Sequence, residues 1–170
     1  MAFSKLLKHQ NFINLLTFYQ LIVYNIEKKT LIPNRNEVSY IDIRSSRADV
    51  ENFLSKVRFL LQNTSKFILI KKRFTEKSNP KYTTETYMLE LEYDNQDVIN
   101  EICSLSLLHY TTTIFDDKGR DTKPLFVFIK EIQKRQVYIK LRLKETNNDE
   151  NVVCISFHFA EHEINTFPYT

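Results

Sequence analysis

The chain has 170 residues, which suits one domain with a hydrophobic core, and its one glycine, Gly119, excludes proteins that hold phosphates in a glycine-rich loop. The formal net charge is only +3, but nine Lys and Arg residues lie between Lys118 and Lys144 against two acidic residues. Such a basic stretch favours an anionic partner, most commonly nucleic acid, and the plain alternative is a solvated basic surface.

The N-terminal segment contains an apolar, aromatic stretch over residues 11–24. This stretch is shorter than the roughly 20 apolar residues of a membrane span, and no small-residue cleavage site follows it. We therefore expect no membrane partner. Residues 1–44 are interpreted as an N-terminal extension of unclear role, ahead of a domain over residues 45–170.

Helices are predicted before strands along the domain. Residues 45–63 carry apolar residues at the spacing of an amphipathic helix, which Ser45 or Ser46 can cap. This order predicts an α+β fold, with an antiparallel sheet and helices packed on one face. The other predicted elements are a strand over 66–74, helices over 84–92 and 95–110, and strands over 125–132, 136–144 and 151–159.

The last two predicted strands alternate apolar and polar residues across a polar turn, which is typical of a β-hairpin. The apolar residues of both strands must face the same core, which rules out a shift of one residue in the pairing of the strands. A shift of two residues remains possible, because it leaves every side chain on the same face. One permitted register gives the pairs Leu143–Val153, Arg142–Cys154, Lys140–Ser156 and Tyr138–His158.

The motif His158-x-x-Glu161-His162 has the spacing of a short zinc-hydrolase motif. Zinc binding needs a helix, where such residues lie about 5–6 Å apart, whereas residues four apart on a strand are separated by about 13 Å. Because His158 closes an alternating strand, no metal site is expected. A metal-dependent hydrolase that uses these three residues stays as an alternative.

The two cysteines, Cys103 and Cys154, lie far apart without a CxxC motif, which is typical of reduced thiols in a cytoplasmic protein. A further alternative is nucleophilic catalysis, with Cys154 or Ser156 as the nucleophile and His158 as the base. It is disfavoured because residues two or four apart on a strand do not normally touch, and no glycine-rich elbow positions either nucleophile.

The segment "IKEIQKRQVYIKLRLKETNNDENVVCISFHFAEHE" resembles the carboxy-terminal part of the MqsR-family toxins of bacterial toxin–antitoxin systems. The family's V-Y-[IL]-K-[LIV] strand matches Val137–Leu141, and its strand ending [IV]-S-F matches Ile155–Phe157. Upstream, "VINEICSLSLLHY" resembles the family's helix, which ends in Leu-Ser and an aromatic residue. The resemblance covers roughly residues 45–163.

This resemblance implies a RelE-like fold and a metal-independent endoribonuclease that cleaves messenger RNA, needs no cofactor and is neutralised by a cognate antitoxin. It implies that Tyr138 and Lys140 line the active face, and that His158 stands where the best-known relative has a Lys. The implied partners are messenger RNA and the antitoxin, with the ribosome as a further candidate.

Two positions depart from the family. A second Lys of the best-known relative corresponds to Thr111 or Thr112, and its Gln near the start of the first sheet strand has no counterpart around Val127. These departures leave open a non-catalytic RNA- or protein-binding module on the same fold.

Metal-free RNA cleavage needs a base for the 2′-hydroxyl, an acid for the leaving 5′-oxygen, and cations for the phosphate. Tyr138, Lys140 and His158 are the candidate catalytic residues, since imidazole titrates near neutrality and the other two can contact the phosphate. The candidate RNA-binding residues are Lys130, Arg135, Arg142 and Lys144.

Overall fold

The computed structural model describes residues 40–71, 82–116, 123–146 and 149–170, and these residues form three α-helices and six strands. The helices are α1 (Arg47–Leu60), α2 (Thr84–Leu91) and α3 (Asn95–Cys103). The strands are β1 (Tyr40–Ile43), β2 (Phe67–Leu69), β3 (Tyr110–Asp116), β4 (Leu125–Ile132), β5 (Arg135–Thr146) and β6 (Asp149–Phe159).

Strand β1 pairs with β3 and therefore extends the sheet ahead of residue 45, where the domain was expected to start. The rest of the expected extension, with the apolar stretch over 11–24, lies outside the described residues. Within the described ranges, no helix combines the length and apolar character that crossing a membrane would need.

Helix α1 confirms the predicted amphipathic helix and its cap. The Ser46 side chain accepts a hydrogen bond from the Asp49 backbone N–H at 3.2 Å, which satisfies one of the free donors of the first turn. Val50 and Val57 are fully buried on one side of this helix, together with Phe53 and Leu54.

The sheet has the order β1-β3-β4-β5-β6-β2. The strand pairs β1–β3, β3–β4, β4–β5 and β5–β6 are antiparallel, whereas β2 runs parallel to β6. The α+β class is therefore confirmed, but the expectation of a wholly antiparallel sheet is wrong. The three residues of β2 carry no pattern that specifies a partner or a direction, because strand pairing of this kind is set by non-local contacts.

One face of the sheet shares a hydrophobic core with all three helices. From the sheet, the fully buried side chains of this core include Phe128, Ile139 and Phe157. The Tyr87 ring from α2 meets the edge of the Phe157 ring with 5.3 Å between centroids. The helices therefore cover one face of the sheet, and the side chains of the opposite face are not part of this core.

Two elements differ from the prediction over residues 95–116. Helix α3 ends at Cys103, because the Ser104 hydroxyl donates to the Glu101 carbonyl at 2.7 Å and a short 3₁₀ turn follows at Leu107–His109. Strand β3 was not predicted, because its threonines conceal any apolar alternation. Thr113 is nevertheless buried, with its hydroxyl 2.9 Å from that of Tyr110.

We predict that Phe157→Ala lowers the free energy of unfolding by about 3–5 kcal/mol, because it leaves a cavity beneath Tyr87. Phe59→Ala is the matched control, since Phe59 is 70% exposed and its loss should cost less than about 0.5 kcal/mol. Urea unfolding followed by circular dichroism measures both values. Equal losses in the two variants would contradict the assignment of Phe157 to the core.

Candidate functional site

The candidate catalytic residues lie on the sheet face opposite the helices. Val137, Ile139 and Leu141 of β5 belong to the helix-side core. The residues that alternate with them, including Tyr138 and Lys140, therefore point to the other face. Tyr138 pairs with His158, and Lys140 pairs with Ser156, as in the predicted register.

The predicted register is wrong beyond these two pairs. The pairing shifts between Lys140 and Leu141, so Leu141 faces Cys154 and Leu143 faces Val152 instead of Val153. Ile155 is the extra residue of a β-bulge, and one extra residue exchanges the two faces of the strand that carries it.

The bulge places Cys154 in the core and not beside His158. The Cys154 side chain is fully buried, and its Sγ donates to the Ser156 carbonyl at 3.4 Å. Burial raises the pKa of this thiol well above its usual range, which disfavours the nucleophilic thiolate. The expectation that Cys154 shares a face with His158 is corrected by this geometry.

Tyr138, Lys140 and His158 form a compact group. The rings of Tyr138 and His158 stack, with 5.7 Å between centroids and 23° between planes. The Lys140 ammonium nitrogen lies 5.3 Å from the centroid of the Tyr138 ring, and only 7% of the Lys140 residue is exposed. An aromatic pair and a largely desolvated cation are therefore held together on two rigid strands.

The hydrogen bonding of His158 indicates which ring nitrogen is basic. His158 Nδ1 lies 2.8 Å from the Phe159 carbonyl oxygen. Because a carbonyl oxygen can only accept, Nδ1 carries a proton, and in the neutral ring Nε2 is then the basic nitrogen.

These residues line a groove of about 310 Å³. The strands contribute four lining residues, Tyr138, Lys140, Ser156 and His158. The segment after β6 contributes Ala160, Glu161, His162 and Ile164. The sequence interpretation missed this second wall, because no periodic pattern indicates where an irregular segment returns to the sheet.

The four candidate RNA-binding residues divide between the two faces. Arg142 and Lys144 follow Lys140 at alternate positions of β5 and share its face. Lys130 forms an ion pair with Glu101 of α3 on the helix side.

Arg135 also lies away from the groove of Tyr138 and His158. Its guanidinium stacks on the Phe159 ring at 3.0 Å from the centroid, and it pairs with Glu90 at 2.6 Å. The alternation that places Val137 in the core also places Arg135 on that side. Arg135 and Lys130 were predicted as RNA contacts from their charge alone. The alternation of side chains along the strands places them on the face opposite to Lys140.

Thr112, one of the two threonines that correspond to the second Lys of the MqsR-family pattern, lies in the same row of the sheet as Lys140. Thr112 pairs with Val127 across β3 and β4, and Val127 pairs with Lys140 across β4 and β5. Thr112, Val127, Lys140 and Ser156 thus form one row, with neighbouring strands about 4.8 Å apart. The row holds one cation, Lys140.

The residues of the zinc-like motif do not share a helix. His158 is part of β6, which ends at Phe159, and residues 160–164 that follow are not helical. In the part of the chain that the structure describes, no group of three or more His, Cys, Asp and Glu residues is placed to hold a metal ion.

We predict that a thiol reagent such as a disulfide dye modifies at most Cys103 in the folded protein, since Cys103 is partly exposed and Cys154 is buried. The raised pKa of the Cys154 thiol acts in the same direction, because the thiolate is the reacting form. Peptide mass spectrometry after labelling, with and without urea, measures both sites. Rapid labelling of Cys154 without urea would contradict its place in the core.

Comparisons of this chain with protein-family models, with curated proteins and with solved structures gave no match. The assignment of a function therefore depends on the site itself and on the motif resemblance.

Proposed function

We propose that the chain is a metal-independent endoribonuclease toxin that cleaves messenger RNA and is neutralised by a cognate antitoxin. The observation that carries this proposal is the grouping of Tyr138, Lys140 and His158 in one groove. Together they supply a base and a cation, two of the groups that cleavage through the 2′-hydroxyl needs, at short distances from one another.

Each of the three residues has a role that its surroundings support. His158 Nε2 takes the proton of the 2′-hydroxyl, because Nδ1 is engaged with the Phe159 carbonyl. Lys140 stabilises the extra negative charge on the phosphate, an effect that strengthens where water is largely excluded. Tyr138 donates a hydrogen bond to the phosphate or stacks on a base.

The cations along β5 extend this site in one direction. Arg142 is half-buried and Lys144 is exposed, and both share the face of Lys140. Alternate strand residues are about 6.6 Å apart, so these cations form a row along the strand that can neutralise phosphates of a single RNA strand. We propose that the RNA backbone follows β5 from Lys140 towards Lys144.

The motif resemblance supports the same conclusion. The V-Y-I-K residues and the I-S-F residues of the MqsR-family pattern lie on the paired strands β5 and β6, with His158 beside Tyr138. We propose a RelE-like form of the α+β fold on this basis, and a cytoplasmic site of action, with the ribosome as a further candidate partner.

A second candidate is a binding module that holds RNA or a protein without cutting it. The absence of the family's second Lys, which would correspond to Thr111 or Thr112, favours it. Retention of Tyr138 and Lys140 beside His158 favours cleavage.

We predict that the native chain cuts a long single-stranded RNA in EDTA, and that His158→Ala and Tyr138→Phe each reduce the rate at least tenfold. One acid–base residue typically contributes about 10²–10⁴-fold to a rate, so the loss at His158 should be the larger. Gel electrophoresis of end-labelled RNA measures the rates.

Tyr93→Phe is the matched control. The Tyr93 hydroxyl donates to Glu101 of α3, on the helix side of the sheet and away from the groove. Its rate should stay near the native rate. No cutting by a folded native chain, with or without zinc and ribosomes, would favour the binding module instead.

A further inference from the structure

The loop after β6 is fastened at both ends to one residue of β5. The Ala160 N–H donates to the Gln136 carbonyl at 2.8 Å. At the other end, the Gln136 side chain donates from Nε2 to the Ile164 carbonyl at 2.9 Å and accepts at Oε1 from the Ile164 N–H at 2.8 Å. Residues 161–163 therefore span a closed loop and not a free tail.

This closure fixes where His162 lies. Gln136 stands two residues before Tyr138 on β5, so the loop runs beside the Tyr138 end of the groove. His162 and Glu161 line the same groove as Tyr138, Lys140 and His158. The sequence pattern alone does not indicate this position of His162 at the groove.

The proposed reaction has one unfilled role. A base at His158 deprotonates the 2′-hydroxyl, but the leaving 5′-oxygen also needs a proton. Lys140 and Tyr138 are assigned to the phosphate or a base in the proposed site, whereas a second imidazole could carry a proton to the leaving oxygen.

We propose that His162 is the second proton-transfer residue of this site and donates the proton to the leaving 5′-oxygen. The inference rests on the proposed function and assigns a further catalytic residue to it. His162 is exposed, so water can return the proton after each turnover. Gln136 acts as a positioning residue, because its side chain makes both hydrogen bonds that hold the Ile164 end of the loop.

Cleavage moves two protons and replaces one bond at phosphorus with another. His158 Nε2 takes the 2′-hydroxyl proton while the 2′-oxygen bonds to phosphorus. The bond from phosphorus to the 5′-oxygen breaks, and that oxygen takes a proton from the His162 imidazolium. The products are a 2′,3′-cyclic phosphate and a 5′-hydroxyl, and proton exchange with water restores both imidazoles.

A change of leaving group separates this role from a structural one. In an RNA whose scissile 5′-oxygen is replaced by sulfur, the thiolate leaves without protonation, so an acid is no longer needed. We expect His162→Ala to slow cleavage of the oxygen linkage by about a hundredfold and of the sulfur linkage by less than about threefold. His158→Ala should slow both linkages, because each still needs the 2′-hydroxyl deprotonated.

Glu163→Gln is the matched control within the loop and should cut both linkages at the native rate. Gln136→Ala should reproduce the selective loss of His162→Ala on the oxygen linkage. Two results for His162→Ala would overturn the inference while the proposed function stands. One is cleavage of the oxygen linkage at the native rate, and the other is an equal reduction of the cleavage rate on both linkages. If the native chain cuts neither linkage, the proposed function fails and the inference fails with it.

Discussion

The pairing of β5 with β6 changes register once along its length, at the bulge around Ile155, and the site depends on that change. On one side of the bulge, Tyr138 and Lys140 meet His158 and Ser156 on the open face of the sheet. On the other side, Cys154 turns into the core, where a small apolar side chain fits beneath the helices. Without the extra residue, strand parity would move either Cys154 or His158 to the opposite face.

The helix-side core gives these strands their rigidity. The fully buried Phe128, Ile139 and Phe157 hold the central strands on the helix side of the sheet. The alternate residues, on the opposite face, therefore have little conformational freedom. Pre-organisation of this kind matters for a proton-transfer site, because errors of about 1 Å in placement can cost about a hundredfold in rate. The same core explains why Lys130, which points towards α3, belongs to the fold more than to the groove.

Local patterns in the sequence were enough to predict most of the elements, including α1 with its Ser46 cap and the strand pair that carries Tyr138 and His158. They could not predict the bulge, because "VCISFHF" alternates without a break and only packing determines which residue is extra. Nor could they predict the parallel partner of β2 or the return of His162 to the groove, which depends on the fastening of the loop by Gln136. Charge counting was the weakest guide, because it ignores the face on which a strand residue lies.

The most direct test of the account is the chemistry of the ends that the native chain leaves on RNA cut in EDTA. Attack by a 2′-hydroxyl with His158 as base predicts 2′,3′-cyclic phosphate, or the 3′-phosphate that forms from it, together with a 5′-hydroxyl. Mass spectrometry of the fragments distinguishes these ends from others. Fragments with 3′-hydroxyl and 5′-phosphate ends would contradict the account, because they require attack by water and not by the RNA itself.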